Sequence, residues 1–209
     1  MKKLMQLIFG GQPSTAPEQQ GNELQNFLME YADKLKGFNS TPKYKAEIEL
    51  LEIIGKFNPE DVILDYGCGI GTAIDHFRAK GIKVYGYDRF NYVNHDYISD
   101  IFPLGMFNKV YFMHSIAHID DIINKLIVLK DGLQKGAEII VITPNLNWLN
   151  VKGNKGYKPD TTVITHFDNL TLKYIFEKAG YEVILQGQFG EPINEFNERL
   201  IIKARYNES

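Results

Sequence analysis

A short loop with alternate glycines is the part of this sequence best suited to hold a ligand by its backbone. It begins at Asp65, has glycine at positions 67, 69 and 71, and leads into an apolar-spaced segment that starts at Thr72. Because an apolar run precedes it, the pattern predicts a strand, a tight turn and a helix. Glycines expose main-chain amides, and a helix start favours electron-rich groups. Alternatively, the glycines serve only the turn.

The spacing of the glycines separates two kinds of nucleotide site. A dinucleotide site has the pattern G-x-G-x-x-G, which would place a third glycine where this chain has Thr72. The pattern here is instead D-x-G-x-G-x-G. A second acid, Asp88, ends the next apolar run, at the position of a ribose-binding carboxylate in a βαβ unit. Asp65 can then lie near the loop and accept from an ammonium group, and a nicotinamide oxidoreductase is disfavoured.

The glycine loop and its two acids resemble the first two motifs of the class I S-adenosylmethionine-dependent methyltransferases. The resemblance covers residues 56–206 and implies S-adenosylmethionine as the cofactor. It also implies an α/β fold with a Rossmann-like, seven-stranded, mostly parallel sheet, an antiparallel last strand and helices on both faces. We expect residues 1–55 to form an N-terminal arm and helical cap, and residues 56–209 to form the methyltransferase domain.

The resemblance also implies which residues contact the cofactor. They lie in the glycine loop, after the second strand, after the third strand and at the end of the fourth. In the family an acid after the third strand contacts the adenine amino group; Asp100 is the best-placed candidate, with Asp96 nearby. The predicted contacts are Asp65, Tyr66, Gly67, Cys68, Gly69, Gly71, Thr72, Asp88, Arg89, Asp100, Ile101, Met113, His114 and Ser115.

Methyl transfer from a sulfonium needs few catalytic groups, because the methyl group is already activated. A hydroxyl acceptor would still benefit from a base, and neutral histidine titrates in the useful range. The predicted catalytic residues are His114, His118 and His166, which fall at or near strand ends or helix starts. His114 is preferred because it follows the fourth strand. His118 could instead be a backbone-bonded residue at a helix start.

The predicted function is methyl transfer to an oxygen or nitrogen atom of a small molecule. One alternative is a cofactor-binding partner or regulatory module without turnover. Another follows from the segment Thr143-Pro144-Asn145, which resembles a motif of RNA-terminus 2′-O-methyltransferases, where His114, His118 and His166 would form a metal site. Those enzymes also use acids that this chain lacks, so we predict no metal.

Hydrophobic periodicity predicts the elements that position these residues. An apolar stripe at positions 24, 27, 28, 31 and 35 predicts a helix ended by Gly37, and Thr41 with Pro42 begins a second helix. The fourth strand is predicted at residues 109–115, and the next helix at residues 119–133, closed by Gly136. Residues 138–143 form the fifth strand.

The C-terminal part has a long aperiodic segment and a final pair of strands. Residues 146–165 are too long for an ordinary connection, so we interpret them as a substrate lid. A helix opened by residues 166–168 follows. Residues 181–189 and 198–206 are predicted strands, and the turn-rich residues 190–194 allow them to pair in antiparallel fashion.

Composition sets the remaining expectations. With 209 residues, one full α/β domain with a modest extension is expected. The net charge of −3 gives no electrostatic reason to expect a nucleic-acid partner. Cys68 is the only cysteine, so we expect a reducing, cytoplasmic location. No apolar run approaches the ~20 residues that a membrane span needs. The expected partner is a small-molecule acceptor, and the chain is expected to be a monomer or homodimer.

Overall fold

The computed structural model describes residues 17–89, 98–99, 105–153 and 162–207, with the backbone alone for residues 17–25 and 98–99. Six α-helices lie in the described part. Their bounds are α1 Pro17–Asn39, α2 Pro42–Gly55, α3 Thr72–Arg78, α4 Ile122–Leu129, α5 Leu146–Gly153 and α6 Asn169–Lys178. Short 3₁₀ turns at Ile116–His118 and Lys130–Gly132 flank α4.

One mixed sheet forms the centre of the fold. Its strands are β1 Val62–Tyr66, β2 Lys83–Tyr87, β3 Ile98–Ser99, β4 Phe107–Met113, β5 Leu133–Pro144, β6 Glu182–Ile193 and β7 Phe196–Arg205. Their spatial order is β3-β2-β1-β4-β5-β7-β6. Strands β1 to β5 are parallel to one another, whereas β7 is antiparallel to both β5 and β6.

The predicted fold class is confirmed, with one correction to the strand count. Six strands are five residues or longer, and the seventh, β3, consists of two residues that pair with Gly86 and Tyr87 of β2. The predicted seven-stranded sheet therefore consists of six full strands and the two-residue β3.

Apolar side chains cover both faces of the sheet. One face packs against α4 and α6 through residues such as Leu126, Leu172 and Phe176. The other face packs against α2 and α3, where Ile48 and Leu51 of α2 share a cluster with Phe77 of α3. The predicted N-cap of α2 is confirmed, because Thr41 Oγ1 accepts from the Tyr44 amide. The second helix is thus packed directly on the sheet.

Two predicted glycine boundaries were wrong. Gly37 lies inside α1, which continues to Asn39, because a single exposed glycine costs a helix only about 1 kcal/mol. Gly136 lies inside β5 with a φ of 79° rather than closing a helix. The β4–β5 register shifts between Phe107 and Lys109, so β5 begins early, at Leu133. A glycine can therefore mark an irregular strand as well as a helix end.

The C-terminal elements also differ from the expectation. The first part of the predicted lid is the helix α5, and its Trp148 and Leu149 are buried against Ile193 and Phe196 of the β6–β7 hairpin. These side chains stabilise the fold. The hairpin strands are longer than predicted, since β6 continues through Gly190 to Ile193 and the turn is formed around Asn194. Residues 154–161 of the predicted lid lie outside the described residues.

Candidate active site

The glycine loop and the end of β4 meet where the strand order reverses. β1 and β4 are neighbours, with β2 on one side of the pair and β5 on the other, and this arrangement opens a crevice at their carboxyl ends. The loop after β1 bends through Gly67, Gly69 and Gly71, whose φ angles are 79°, 55° and 78°. Other residues adopt these left-handed angles only at a cost, so the turn requires glycine.

Hydrogen bonds to the end of β2 hold the loop in place. The amides of Gly67 and Cys68 donate to the Tyr87 carbonyl at 2.7 and 3.1 Å. The Gly69 amide donates to Asp88 Oδ2 at 2.8 Å. Because Asp88 directly follows β2, its carboxylate lies at the loop. The second acid of the predicted motif is therefore in contact with the first motif, as the spacing indicated.

Asp65 lies beneath the loop and is almost completely buried. Burial raises the pKa of its carboxyl well above the ordinary value; the nearby Asp88 charge adds to this, and the Tyr111 hydroxyl opposes it. Burial and the Asp65 charge also raise the pKa values of Tyr44 and Tyr111. A cationic group placed at the loop would offset the cost of ionising Asp65.

Helix α1 lies over the glycine loop. A Cβ atom on Gly69 would be 3.2 Å from Leu35 Cδ1, and Asn39 Nδ2 donates to Thr72 Oγ1 at 2.8 Å. Earlier in the helix, the Tyr31 hydroxyl lies 3.2 Å from Thr162 Oγ1. Tyr31 and Leu35 are half-buried, and Leu35 lies against the loop at Gly69.

His114 follows β4 and has an unusual backbone conformation. Its φ is 62°, in the left-handed region, which costs a non-glycine residue about 1–3 kcal/mol. Its amide donates to the Ile142 carbonyl at 2.8 Å. The ring lies edge-on to Phe38 of α1, with 5.5 Å between centroids. Such strain is concentrated at functional sites, which supports a functional role for this histidine.

The His114 ring is held by a buried acid. His114 Nε2 lies 2.7 Å from Oε2 of Glu47, a residue of α2 with no exposed surface. Burial lowers the pKa of His114 below its ordinary value, and Arg199 and Lys43 add to this, while Glu47 opposes it. Burial also acts against ionisation of Glu47, yet His114 and Arg199 together hold the Glu47 pKa below its ordinary value. The Arg199 charge thus favours the carboxylate form of Glu47, and burial favours the neutral form of His114.

Further charged residues continue from Glu47 toward the surface. Arg199 Nε donates to Glu47 Oε1 at 2.7 Å, and Arg199 Nη1 lies 3.0 Å from Glu198 Oε1. Lys43 in turn pairs with Glu198. None of these four residues belongs to a recognised motif, so they were not among the predicted site residues. A signal was present, because Glu47 stands on the same face of α2 as the buried Tyr44, Ile48 and Leu51.

Comparisons with known proteins agree with this geometry. A family model described as a methyltransferase domain matches residues 38–186. The chain belongs to the class I S-adenosylmethionine-dependent methyltransferase family. This methyltransferase therefore uses S-adenosylmethionine, and the predicted cofactor and enzyme class are confirmed. No curated protein sequence matches it significantly.

Solved structures resemble the methyltransferase in fold. A chain from the complex between the Haloferax volcanii Trm112 methyltransferase activator and a proposed methyltransferase has a TM-score of 0.64 and 15% identity, covering 86% of this chain and 95% of its own. The Burkholderia thailandensis 1,6-didemethyltoxoflavin-N1-methyltransferase has a TM-score of 0.64 and 13% identity, covering 94% and 93%. A methyltransferase from Archaeoglobus fulgidus has a TM-score of 0.58 and 15% identity, covering 78% and 94%.

The residues of the methyltransferase fit its cofactor at the loop. Gly67 and Gly69 are partly exposed, so a ligand can reach their backbone, and half-buried Asp88 offers a carboxylate at the same edge. Ser115 supports the loop and does not face the ligand, since its hydroxyl donates to the Tyr66 carbonyl. Other predicted contacts are less directly placed. Tyr66, Cys68 and Met113 are buried, Thr72 is bonded to Asn39, Arg89 is exposed, and Asp96, Asp100 and Ile101 lie outside the described residues.

The other two predicted catalytic histidines differ from His114. His118 Nδ1 lies 3.1 Å from both the Thr162 carbonyl and Thr162 Oγ1, which confirms the interpretation of a backbone-bonded residue. His166 precedes Phe167, which bridges to Asn145 after β5. Within the described ranges, no group of three metal-ligating side chains is placed to hold an ion. The three histidines are thus not assembled into a metal site.

The Thr143-Pro144-Asn145 segment has a structural role in the methyltransferase. The Asn145 amide group donates to Gln188 Oε1 at 3.1 Å and to the Asn197 carbonyl at 2.8 Å. Its Oδ1 accepts from the Asn147 amide. These bonds fasten the end of β5 to the hairpin.

In the described residues, no helix combines the length and apolar character that crossing a membrane requires.

Proposed function

We propose that this methyltransferase transfers the methyl group of S-adenosylmethionine to an oxygen or nitrogen atom of a small molecule, with His114 as the general base. The observation that carries the proposal is the position of His114. It stands at the carboxyl end of β4, next to the glycine loop, with its ring 2.7 Å from the buried Glu47. A base with a fixed ring and a lowered pKa is already neutral at pH 7.

The cofactor-binding residues have separate proposed roles. Asp88 accepts from the ribose hydroxyls, and Asp65 balances the ammonium group of the methionyl part. Gly67 and Gly69 let the cofactor lie against the backbone, the buried Gly71 provides the left-handed turn, and Ser115 supports the loop from the β4 side. Asp100 and Ile101 remain proposals for the adenine side. The bound cofactor supplies a methyl group that is already activated for transfer.

The acceptor is proposed to bind between α1 and the end of β4. Phe38 of α1 lies against the His114 ring, and Tyr31 and His118 both contact Thr162. An aromatic and polar lining of this kind suits a small molecule. The Burkholderia relative, which binds 1,6-didemethyltoxoflavin, supports the same acceptor class. We also propose that residues 1–55 form a cap over the site. Within this cap, α1 would exclude water from the bound acceptor.

In the proposed reaction, His114 would take the proton of an acceptor hydroxyl. The cofactor would supply the methyl group and leave as S-adenosylhomocysteine, so that its methyl–sulfur bond breaks as the bond to the acceptor forms. The protein holds acceptor and methyl group in line, and Phe38 and α1 exclude water from the reacting atoms. An amine that arrives neutral needs the base less than a hydroxyl does. The identity of the acceptor therefore determines how strongly the rate depends on His114.

The proposal is tested by a methyl-transfer screen. Purified protein is incubated with methyl-labelled S-adenosylmethionine and a panel of phenols, hydroxylated heterocycles and amines, and labelled products are separated. We expect cofactor-dependent labelling of small molecules, with or without EDTA. Labelling of RNA alone, or labelling that EDTA abolishes and a divalent ion restores, would contradict the proposal and favour an RNA-directed metal enzyme.

Asp88→Ala is expected to weaken cofactor binding at least tenfold. The change removes a charged acceptor of two hydroxyl groups, which is worth about 1.5–3 kcal/mol. It also removes the 2.8 Å bond that holds the Gly69 amide. Calorimetric titration with S-adenosylhomocysteine measures the affinity, and Asp131→Ala, an exposed acid outside the loop, is the control. Unchanged affinity in Asp88→Ala would assign the ribose contact to another residue.

A further inference from the structure

Glu47 differs from an ordinary buried acid because each of its oxygens has a different partner. Oε2 lies 2.7 Å from His114 Nε2, and Oε1 accepts from Arg199 Nε at 2.7 Å. The three residues come from α2, the end of β4 and β7. Both the acid and the guanidinium are more than nine-tenths buried. These two contacts therefore join α2, the end of β4 and β7 next to His114, the proposed base.

This arrangement determines where the proton of the His114 ring can lie. A guanidinium is always charged and can only donate, so it requires an acceptor at Oε1. A carboxylate kept ionised by that charge is also an acceptor at Oε2. His114 Nε2 must then carry the hydrogen that it donates to Glu47. In the neutral ring this leaves the lone pair on Nδ1, available to an acceptor molecule.

We propose that Glu47 is a positioning residue that holds the proton of His114 on Nε2, and that Arg199 keeps Glu47 in the carboxylate form that this requires. The inference rests on the proposed function of His114 as a base and adds the two residues that prepare it. Replacement of the same ions by apolar residues could stabilise the fold, because buried ion pairs are costly to desolvate. A role in orientation accounts for the pair better than a role in stability.

The charged groups around His114 act in opposite directions. Glu47 of α2 favours the protonated ring, whereas Arg199 of β7 and Lys43 of α2 disfavour it. Glu198 pairs with both Arg199 and Lys43 and so limits their effect. From α1, the uncharged ring of Phe38 covers the edge of the imidazole. Removal of Glu47 and removal of Arg199 should therefore shift the His114 pKa in opposite directions.

The first test uses the unmodified protein and needs no acceptor. Long-range ¹H–¹⁵N correlation spectra of ¹⁵N-histidine-labelled protein distinguish the two neutral tautomers, and only five histidines contribute signals. His114→Ala assigns the resonance. We expect a neutral His114 with its proton on Nε2 at pH 7. A neutral ring with the proton on Nδ1, or a doubly protonated ring at pH 7, would overturn the inference.

The second test compares variants in the same spectra. Glu47→Gln should lower the His114 pKa and populate the other tautomer, because an amide can donate to Nε2. Arg199→Met should raise the His114 pKa. Glu52→Gln is the matched control, since Glu52 also lies in α2 but faces His76 at 3.8 Å and Lys80 at 2.7 Å. Glu52→Gln should alter the His76 resonance and leave His114 unchanged.

Equal effects of Glu47→Gln and Glu52→Gln on His114, or no effect of either Glu47→Gln or Arg199→Met, would contradict the role of Glu47. If Glu47→Gln does not fold, the unmodified protein and Arg199→Met still decide the question. Once an acceptor is known, Glu47→Gln should lower kcat by about 10²-fold with the cofactor KM unchanged, and Glu47→Asp should recover part of the loss. Absence of any methylated acceptor would count against the proposed function alone, because the tautomer is measured without turnover.

Discussion

His114→Ala is expected to lower methyl transfer to a hydroxyl acceptor by about 10²–10⁴-fold, the usual contribution of a positioned base. Cofactor affinity should remain nearly the same, because the glycine loop and Asp88 do not depend on the imidazole. Initial rates with labelled cofactor, together with calorimetric affinity, separate the two effects. His118→Ala is the comparison variant, and its smaller effect would reflect the bond between His118 and Thr162.

The pH dependence of the unmodified enzyme tests the same residue. Below the His114 pKa a proton occupies the lone pair, so the rate should rise with pH and then level. Because burial lowers this pKa below its ordinary value, the plateau should begin at a lower pH than it would for an exposed histidine. Full activity in His114→Ala would mean that His166 is the general base, or that the acceptor is a neutral amine that needs no base. Loss of cofactor binding in that variant would make His114 a binding residue instead.

Gly67→Val is expected to reduce the free energy of unfolding by about 2–5 kcal/mol and to abolish cofactor binding. A left-handed φ of 79° costs a residue with a side chain about 1–2 kcal/mol, and overpacking costs a further 1–3 kcal/mol. The overpacking arises because the new Cβ would lie 2.3 Å from Ser115 Cβ. Ser115 cannot move away easily, since its hydroxyl is bonded to the Tyr66 carbonyl.

Gly81→Val is a matched control for this substitution. Gly81 has the same φ of 79°, but a Cβ there would have no atom within 4 Å. The variant should therefore lose stability through backbone strain alone and should still bind cofactor. Denaturant unfolding and calorimetry measure both quantities. An equal loss of stability in the two variants would show that the contact with Ser115 contributes nothing.

The parts of the site that follow from local sequence could be predicted. The loop glycines have the left-handed angles that their alternate spacing indicated, and Asp88 lies at the loop because β2 runs parallel to β1. The position of His114 directly after β4 also follows from local sequence, because a recognisable apolar strand precedes it. By contrast, the partners of His114 are distant in sequence. Glu47 and Arg199 are 152 residues apart, and neither belongs to a motif.

Other predictions failed because tertiary packing determined the outcome. Trp148, which composition placed in a lid, is buried against the hairpin through contacts that no periodicity reveals. Gly136 met the criteria of a helix end, yet it lies within β5, where its amide donates to the Tyr206 carbonyl next to the β5–β7 pairing. Glycine and tryptophan each suit several environments, so only the neighbouring strands distinguish among them.

The position of β7 also determines when the site can be completed during synthesis. β7 is inserted between β5 and β6, although it is translated after both. Until it emerges from the ribosome, β5 has an unpaired edge and Glu47 is without its guanidinium. The nascent chain can therefore form the glycine loop early, but it cannot fix the His114 ring before residue 199 is available. Such long-range contacts slow folding, and we expect loop formation and assembly of the His114 pair to be separate kinetic phases.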